Sequence, residues 1–394
     1  MRRGFKVFDA DGHVVYPMDL WDRFLDERYK SRVGLKPSPG AYRPVTVDGR
    51  YTQHDITIYG NFMSYIDWTY DDMRAKYGAD VVDAGFPGDA VAEGMRRDGL
   101  DLMVIYGPEY DMWADGIDGE LQQALAIAYY RWGEEMREKS GGRVLISGPV
   151  PVLEISRAVE AVRIGYEKYG VRCFWARPNP FNKRTLGSSY YDPLWEVLTD
   201  LNCAFGVHEF MGLNGLSAGS ERFRSFTEWH TVVHPHEQQM AMLSMMVHGA
   251  FERFPKLRVG FMEGNCSWLP WWLWRMEEQL ELAGAKEMPQ CTKSPKEYFL
   301  QNCYITAEPD EYGVYHVIEE LGDDKILWES DYPHPDSKYP FSTECFLDLP
   351  KVSDESKRKI MWDNALNFYQ FPESYLPKEF HEATAVRDPA TAHH

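Results

Sequence analysis

Phe5-Lys-Val-Phe-Asp9-Ala-Asp11-Gly-His13 is a short β-type run that ends in two carboxylates and an imidazole. Seven further runs downstream share its character, at residues 102–106, 144–146, 171–176, 203–208, 257–262, 303–306 and 326–329. Helical patterns lie between them, at 118–138, 156–168, 192–201, 237–251 and 295–301. Strands that alternate with helices indicate parallel βαβ units. Eight of them, with no GxGxxG fingerprint, predict a closed (β/α)8 TIM barrel rather than a doubly wound sheet.

The 394 residues suffice for one large barrel, and the 44% apolar share supplies its core. Acidic residues outnumber basic ones, 61 to 42, for a formal charge of −19. Nucleic acid and anionic membrane surfaces, which need a basic footprint, are therefore not expected as partners. No apolar run reaches the roughly 20 residues of a spanning helix. The first residues carry no apolar stretch with a cleavage site, so a cytoplasmic location is expected. The six cysteines form no Cys-x-x-Cys pair and read as reduced thiols.

The barrel is expected over residues 1–372, with an insertion after the first strand at about 33–82 and an arm or tail at 373–394. Within the insertion, Pro44-Val-Thr-Val-Asp48-Gly49-Arg-Tyr51 reads as a hairpin turning at Asp48-Gly49. The insertion, and loops such as 212–228, shape the pocket in a way no motif encodes.

Barrel chemistry sits where the strands end. Asp11 and His13 close the first strand, His208-Glu209 the fifth, Glu263 the sixth, and Asp331 with His334 the eighth. Residues two apart on a strand share a face, so Asp11 and His13 both point inward. Joined by His208, Glu263 and Asp331 they form a mixed nitrogen and oxygen set that suits zinc, manganese or iron rather than calcium. Taken singly, each could be a hydrogen-bonded strand end; collected at one mouth they point to a metal. Glu209 should turn away from His208 into an ion pair, and Asp9 should be a deeper buried carboxylate. Arg177 either clamps a substrate carboxylate or pairs with a neighbouring acid. His334 is a catalytic candidate or a loop histidine. His248 reads as a packed core residue, and the tryptophan-rich run 268–274 as core or dimer surface.

The chain resembles the amidohydrolase superfamily, specifically the amidohydrolase-related group that contains aminocarboxymuconate-semialdehyde decarboxylase. Beyond Asp11-Gly-His13, the matching segments include Met18-Asp-Leu-Trp21, Gly99-Leu-Asp-Leu-Met-Val-Ile-Tyr106 and Tyr190-Tyr-Asp-Pro-Leu-Trp195. Gly249-Ala-Phe-Glu-Arg-Phe-Pro-Lys-Leu-Arg-Val259, Trp328-Glu-Ser-Asp-Tyr-Pro-His334 and Asp363-Asn-Ala-Leu-Asn-Phe-Tyr369 match as well. The resemblance implies a metal-dependent hydrolase or non-oxidative decarboxylase acting on a small carboxylated, aromatic or cyclic compound. It implies Asp11, His13, His208 and Asp331 as ligands of a divalent metal, zinc first, with Asp331 also the general base. A homodimer is the usual state of such barrels, a hetero-oligomer the alternative.

Two departures stand out. Glu263 replaces the histidine that the decarboxylases carry after the sixth strand. The first motif is Asp-x-His rather than His-x-His or Glu-x-His, a more anionic set that favours harder, redox-capable ions. The segment Trp229-His230-Thr-Val-Val-His234-Pro-His236-Glu237 offers two more imidazoles. Were His230 and His234 to face the mouth, they and Glu263 could hold a second ion, making the chain a dinuclear iron or manganese oxygenase. Pro235 favours instead a helix that starts after His234, with Glu237 at its positive end, and hence a single ion; Glu263 is then a catalytic candidate that orients the substrate or supports the ligands. A non-catalytic barrel subunit is the third reading, disfavoured by five ionisable residues at strand ends.

Overall fold

The eight apolar runs become strands because both of their faces are covered, one by the barrel interior and one by helices. In the computed structural model β1 (Phe8–Gly12) is followed by a small antiparallel sheet of β2 (Val33–Leu35), β3 (Val45–Val47) and β4 (Arg50–Tyr51). Then come β5 (Leu102–Ile105), β6 (Val144–Pro149), β7 (Cys173–Ala176), β8 (Ala204–His208), β9 (Arg258–Met262), β10 (Cys303–Ala307) and β11 (Ile326–Trp328). These seven and β1 form one all-parallel sheet in the order β1-β5-β6-β7-β8-β9-β10-β11, the predicted (β/α)8 barrel. The structure describes residues 1–14, 17, 19–35, 45–47, 50–51, 69–107, 117–209, 217–219, 222–223 and 225–381. The expected turn at Asp48-Gly49, most of the insertion, part of the 212–228 loop and residues 382–394 lie outside them.

Among the described residues β11 and β1 share no ladder; the seam is closed one residue at a time. Ser330 donates from both its backbone N (2.9 Å) and its hydroxyl to the Asp9 carboxylate. Asp331 N reaches Asp11 O at 3.3 Å, and His13 N reaches Tyr332 O at 2.6 Å. Asp9 is thus the clasp of the barrel, and burial raises its carboxyl well above the ordinary range. A bulge interrupts the β1–β5 register between Asp9 and Gly12, which re-aims the residues that follow it. Gly12 lets the Met103 side chain approach closely, since a Cβ would stand 2.8 Å from its Sδ and push it aside.

One helix departs from expectation. It spans Phe226–Val247, with Pro235 in its interior, rather than starting beyond His234. Ser225-Phe-Thr-Glu228 forms a capping box: Ser225 Oγ accepts from Glu228 N, and Glu228 Oε2 accepts from Ser225 N. That box fixes the start one turn before His230, and the helix absorbs the hydrogen bond that Pro235 cannot donate. His248 ends this helix exposed rather than packed in the core. Helix Leu269–Gln279 buries Leu269, Leu273 and Met276 but leaves Trp271 and Trp274 exposed. After residue 371, Phe380 is buried with its ring 5.2 Å from that of Trp362. No helix among the described residues is long and apolar enough to cross a membrane.

Candidate active site

The C-terminal ends of β1, β8, β9 and β11 deliver Asp11 with His13, His208, Glu263 and Asp331 to one point. His208 Nε2 lies 3.1 Å from Asp11 Oδ2 and 2.8 Å from Glu263 Oε2. His13 Nε2 lies 3.3 Å from Asp331 Oδ1, 3.5 Å from Glu263 Oε2 and 3.7 Å from Asp11 Oδ1. Beyond it, His334 Nδ1 is 2.7 Å from Asp331 Oδ1, and the His334 ring stacks on His13 at 4.3 Å. Glu263 and Asp331 hold φ angles of +48° and +54°. That left-handed region costs a non-glycine residue about 1–2 kcal/mol, and strain of this kind collects where side-chain aim matters.

The cluster has the chemistry of a metal site. His13 Nδ1 faces the Tyr106 carbonyl at 3.2 Å. A carbonyl only accepts, so Nδ1 carries a proton and Nε2 is turned to the carboxylates, which favour a proton or a metal ion there. Both Asp11 oxygens, Glu263 Oε2 and Asp331 Oδ1 are buried and accept no hydrogen bond of good geometry among the described residues. Anionic oxygens left so would be costly, and an ion among them removes the cost. Two atoms each roughly 2.0–2.2 Å from one ion stand about 3.0–3.5 Å apart when adjacent in its shell. The 3.1, 3.3 and 3.5 Å spacings fall in that range, and those of 2.8 and 3.7 Å lie just outside it. Two overlapping groups can therefore hold a divalent metal, Asp11 with His13 and His208, and His13 with Glu263, Asp331 and His334. Burial would lift Glu263, but His234, His208 and His13 outweigh it and keep its carboxyl well below the usual range. For His334 burial works downward, and the Asp331 carboxylate wins, raising the imidazole to about 9.

The early helix start also turns His234 inward, its Nδ1 3.5 Å from Glu263 Oε1. His230, one turn before, stacks on Phe226 and lies with its ring 5.3 Å from that of His234. Arg177 takes the second of its two expected roles: buried, it donates to Glu209 Oε1 at 2.5 Å and to Asn179 Oδ1 at 2.8 Å. As the strand alternation requires, Glu209 turns away from His208. Glu237, expected merely at a helix start, is buried mid-helix and accepts from Ala218 N at 2.6 Å.

Burial and the neighbouring Glu209 raise Glu237 to about 8 from 4.5. A folded value above the unfolded one means stability that is full below about pH 4.5 and lost as pH rises through about 8. Glu237→Gln keeps the acceptor for Ala218 and stays neutral. Its melting temperature should match wild type at about pH 5 and exceed it increasingly toward pH 9. Parallel melting curves for the two proteins across that range would refute the burial argument.

Several supports carry no motif. Gln238 Nε2 donates to Val207 O (2.9 Å) and Met262 O (2.6 Å), tying together the strand ends that bear His208 and Glu263. Glu263 N donates to Thr306 Oγ1 (3.1 Å) and Glu329 Oε2 (3.2 Å), which hold its backbone turn. The segment 363–369 acts through its polar ends. Asn364 Nδ2 donates to Asp323 O and Ile326 O beside β11, and Tyr369 Oη to Ala10 O in β1. Tyr106 stacks on His208 at 5.1 Å while its carbonyl takes His13. Gly206 leaves room for that ring, since a Cβ there would lie 2.6 Å from it. Gly206→Ala should cost about 1–3 kcal/mol by overpacking and weaken metal binding through both histidines. Calorimetry with and without metal measures the two effects together.

A parallel eight-stranded barrel with imidazoles and carboxylates converging at its mouth defines a metal-dependent (β/α)8 enzyme. The chain belongs to the Amidohydrolase family, which matches residues 9–371, and with it to the family's metal-dependent hydrolases and lyases. It is 23% identical to 2-amino-3-carboxymuconate-6-semialdehyde decarboxylase of Dictyostelium discoideum, over 72% of this chain and 76% of that protein. Among solved structures, an amidohydrolase from Mycobacterium avium subsp. paratuberculosis superposes with a TM-score of 0.71 at 22% identity. That match covers 93% of this chain and 99% of the other. A 5-carboxyvanillate decarboxylase from Novosphingobium aromaticivorans, holding manganese and 3-methoxy-4-hydroxy-5-nitrobenzoic acid, superposes with a TM-score of 0.69 at 14% identity. It covers 94% of this chain and 98% of its own. At these identities the structural likenesses speak for the fold.

Proposed function

We propose that the protein is a metal-dependent, non-oxidative decarboxylase of a small aromatic or cyclic carboxylate. The observation that carries this reading is the Asp331–His334 pair, 2.7 Å apart beside the metal-ligating set, together with decarboxylases on the same barrel. Asp11, His13, His208 and Asp331 would hold the metal, with Glu263 at its edge. The oxygen-rich set favours manganese or iron over the zinc first expected. When bound, the ion supplies a Lewis acid for the substrate's carboxylate and an adjacent oxygen. The His334 imidazole, kept protonated by Asp331, gives its proton to the carbon that bears the carboxylate. The C–C bond then breaks, CO2 leaves and a C–H bond stands in its place. Asp331 stabilises the charged imidazole and returns the proton from water.

The test is a panel of hydroxylated benzoates with the manganese-loaded protein, following CO2 release and, in D2O, a deuteron at the vacated carbon. One labelled product per CO2 is expected. Turnover that needs O2, or hydrolysis of esters and amides without CO2, would replace this reading.

A further inference from the structure

Glu263 faces two ways. Its Oε2 belongs with His208 and His13, at 2.8 and 3.5 Å, whereas its Oε1 looks at His234 Nδ1, 3.5 Å off. His234 is only 8% exposed, and its Nδ1 makes no hydrogen bond among the described residues. A buried ring nitrogen left unsatisfied beside a carboxylate oxygen is unfavourable unless something is shared between them. The 3.5 Å spacing is that of two adjacent ligand atoms roughly 2.1 Å from one ion. His230 stands four residues earlier on the same helix, its ring 5.3 Å from that of His234. Histidines at i and i+4 on a helix are the spacing that lets two imidazoles grip one metal. His234 and Glu263 already stand at ligand spacing, whereas His230 would have to turn from its stack on Phe226 to complete the two-histidine, one-carboxylate set that suits iron and its neighbours.

We propose that Glu263, His234 and His230 form a second divalent-cation site, with Glu263 bridging it to the ion of the Asp11, His13, His208 and Asp331 set. The inference rests on that first site but not on the reaction. The capping box at Ser225 makes it possible, because it starts the helix early enough to set both imidazoles on one turn. A carboxylate at position 263 suits a bridge. An imidazole offers one inward nitrogen, whereas a carboxylate offers an oxygen to each of two ions.

The test strips the full chain with a chelator and saturates it with Mn2+, reading manganese per chain by elemental analysis and coupling by electron paramagnetic resonance. Wild type should bind two ions with an exchange-coupled spectrum. His234→Ala and His234→Asn should each bind one, with the hyperfine lines of an isolated Mn2+, and His230→Ala should weaken the second ion by at least tenfold. Circular dichroism confirms that each variant is folded. One manganese per chain in wild type, or two retained in both His234 variants, would overturn the proposal. If wild type binds one ion that His208→Ala abolishes and His234→Ala spares, the second site is refuted and the first stands. If folded wild type binds none, both fall.

Discussion

Asp11→Ala and His208→Ala should each strip the protein of nearly all bound metal and all measurable turnover while the barrel stays folded. Both side chains are almost wholly buried, Asp11 at 1% and His208 at 0% exposure. They sit at the ends of different strands, so neither can be replaced by a neighbour that swings in. Even groups that only orient a ligand typically contribute about 10–100-fold in metal affinity, and a direct ligand should exceed that. The fold survives because the metal-free cluster is itself a burden. Burial leads the upward shifts of Asp11 and Glu329, and neighbouring carboxylates add to both. Losing Asp11 relieves part of that repulsion, so the metal-free Asp11→Ala protein should melt no lower than metal-free wild type. Adding Mn2+ should then raise the wild-type melting temperature and leave both variants unmoved, since only the form that binds the ion gains from it. Full metal occupancy in both variants would sink the assignment of the mouth as a metal site.

The barrel is legible in the sequence because its strands are covered on both faces and therefore read as short, unbroken apolar runs. Each expected strand appears within a few residues of its place, and the ionisable residues gather where strand ends should put them. What escapes a sequence reading is set by particular polar contacts. Gln238 reads as one more polar residue on a helix until its amide is found across Val207 O and Met262 O. No local pattern announces a contact between residues 31 and 24 positions apart. Arg177 is ambiguous for a similar reason, because its partner Glu209 lies just past the end of the next strand. The start of helix Phe226–Val247 is missed for another reason. The signal Ser225-x-x-Glu228 stands in the sequence, but Pro235 competes with it, and a proline break is the stronger prior when packing is unknown. The placement of His230 and His234 turns on that choice, and with it the number of ions the mouth can hold.

Asp331→Asn should lower turnover by roughly 10²–10⁴-fold, the usual worth of a positioned acid or base, while the protein keeps its fold and part of its metal. The substitution is chosen for the backbone as much as for the chemistry. Asp331 lies at φ +54°, and asparagine is among the few residues that tolerate this region. The amide would keep one oxygen directed at the site but lose the charge that faces both His13 Nε2 and His334 Nδ1. Burial acts to lower the His334 value, and the carboxylate that overcomes it would be gone. The imidazolium would then give up its proton at lower pH, so the alkaline limb of the rate profile should move down. That second readout separates the roles of the pair. A fall in turnover without a shift of the limb would mean that Asp331 serves only as a ligand. Near-normal turnover with a normal limb would place the proton donor outside the Asp331–His334 pair altogether.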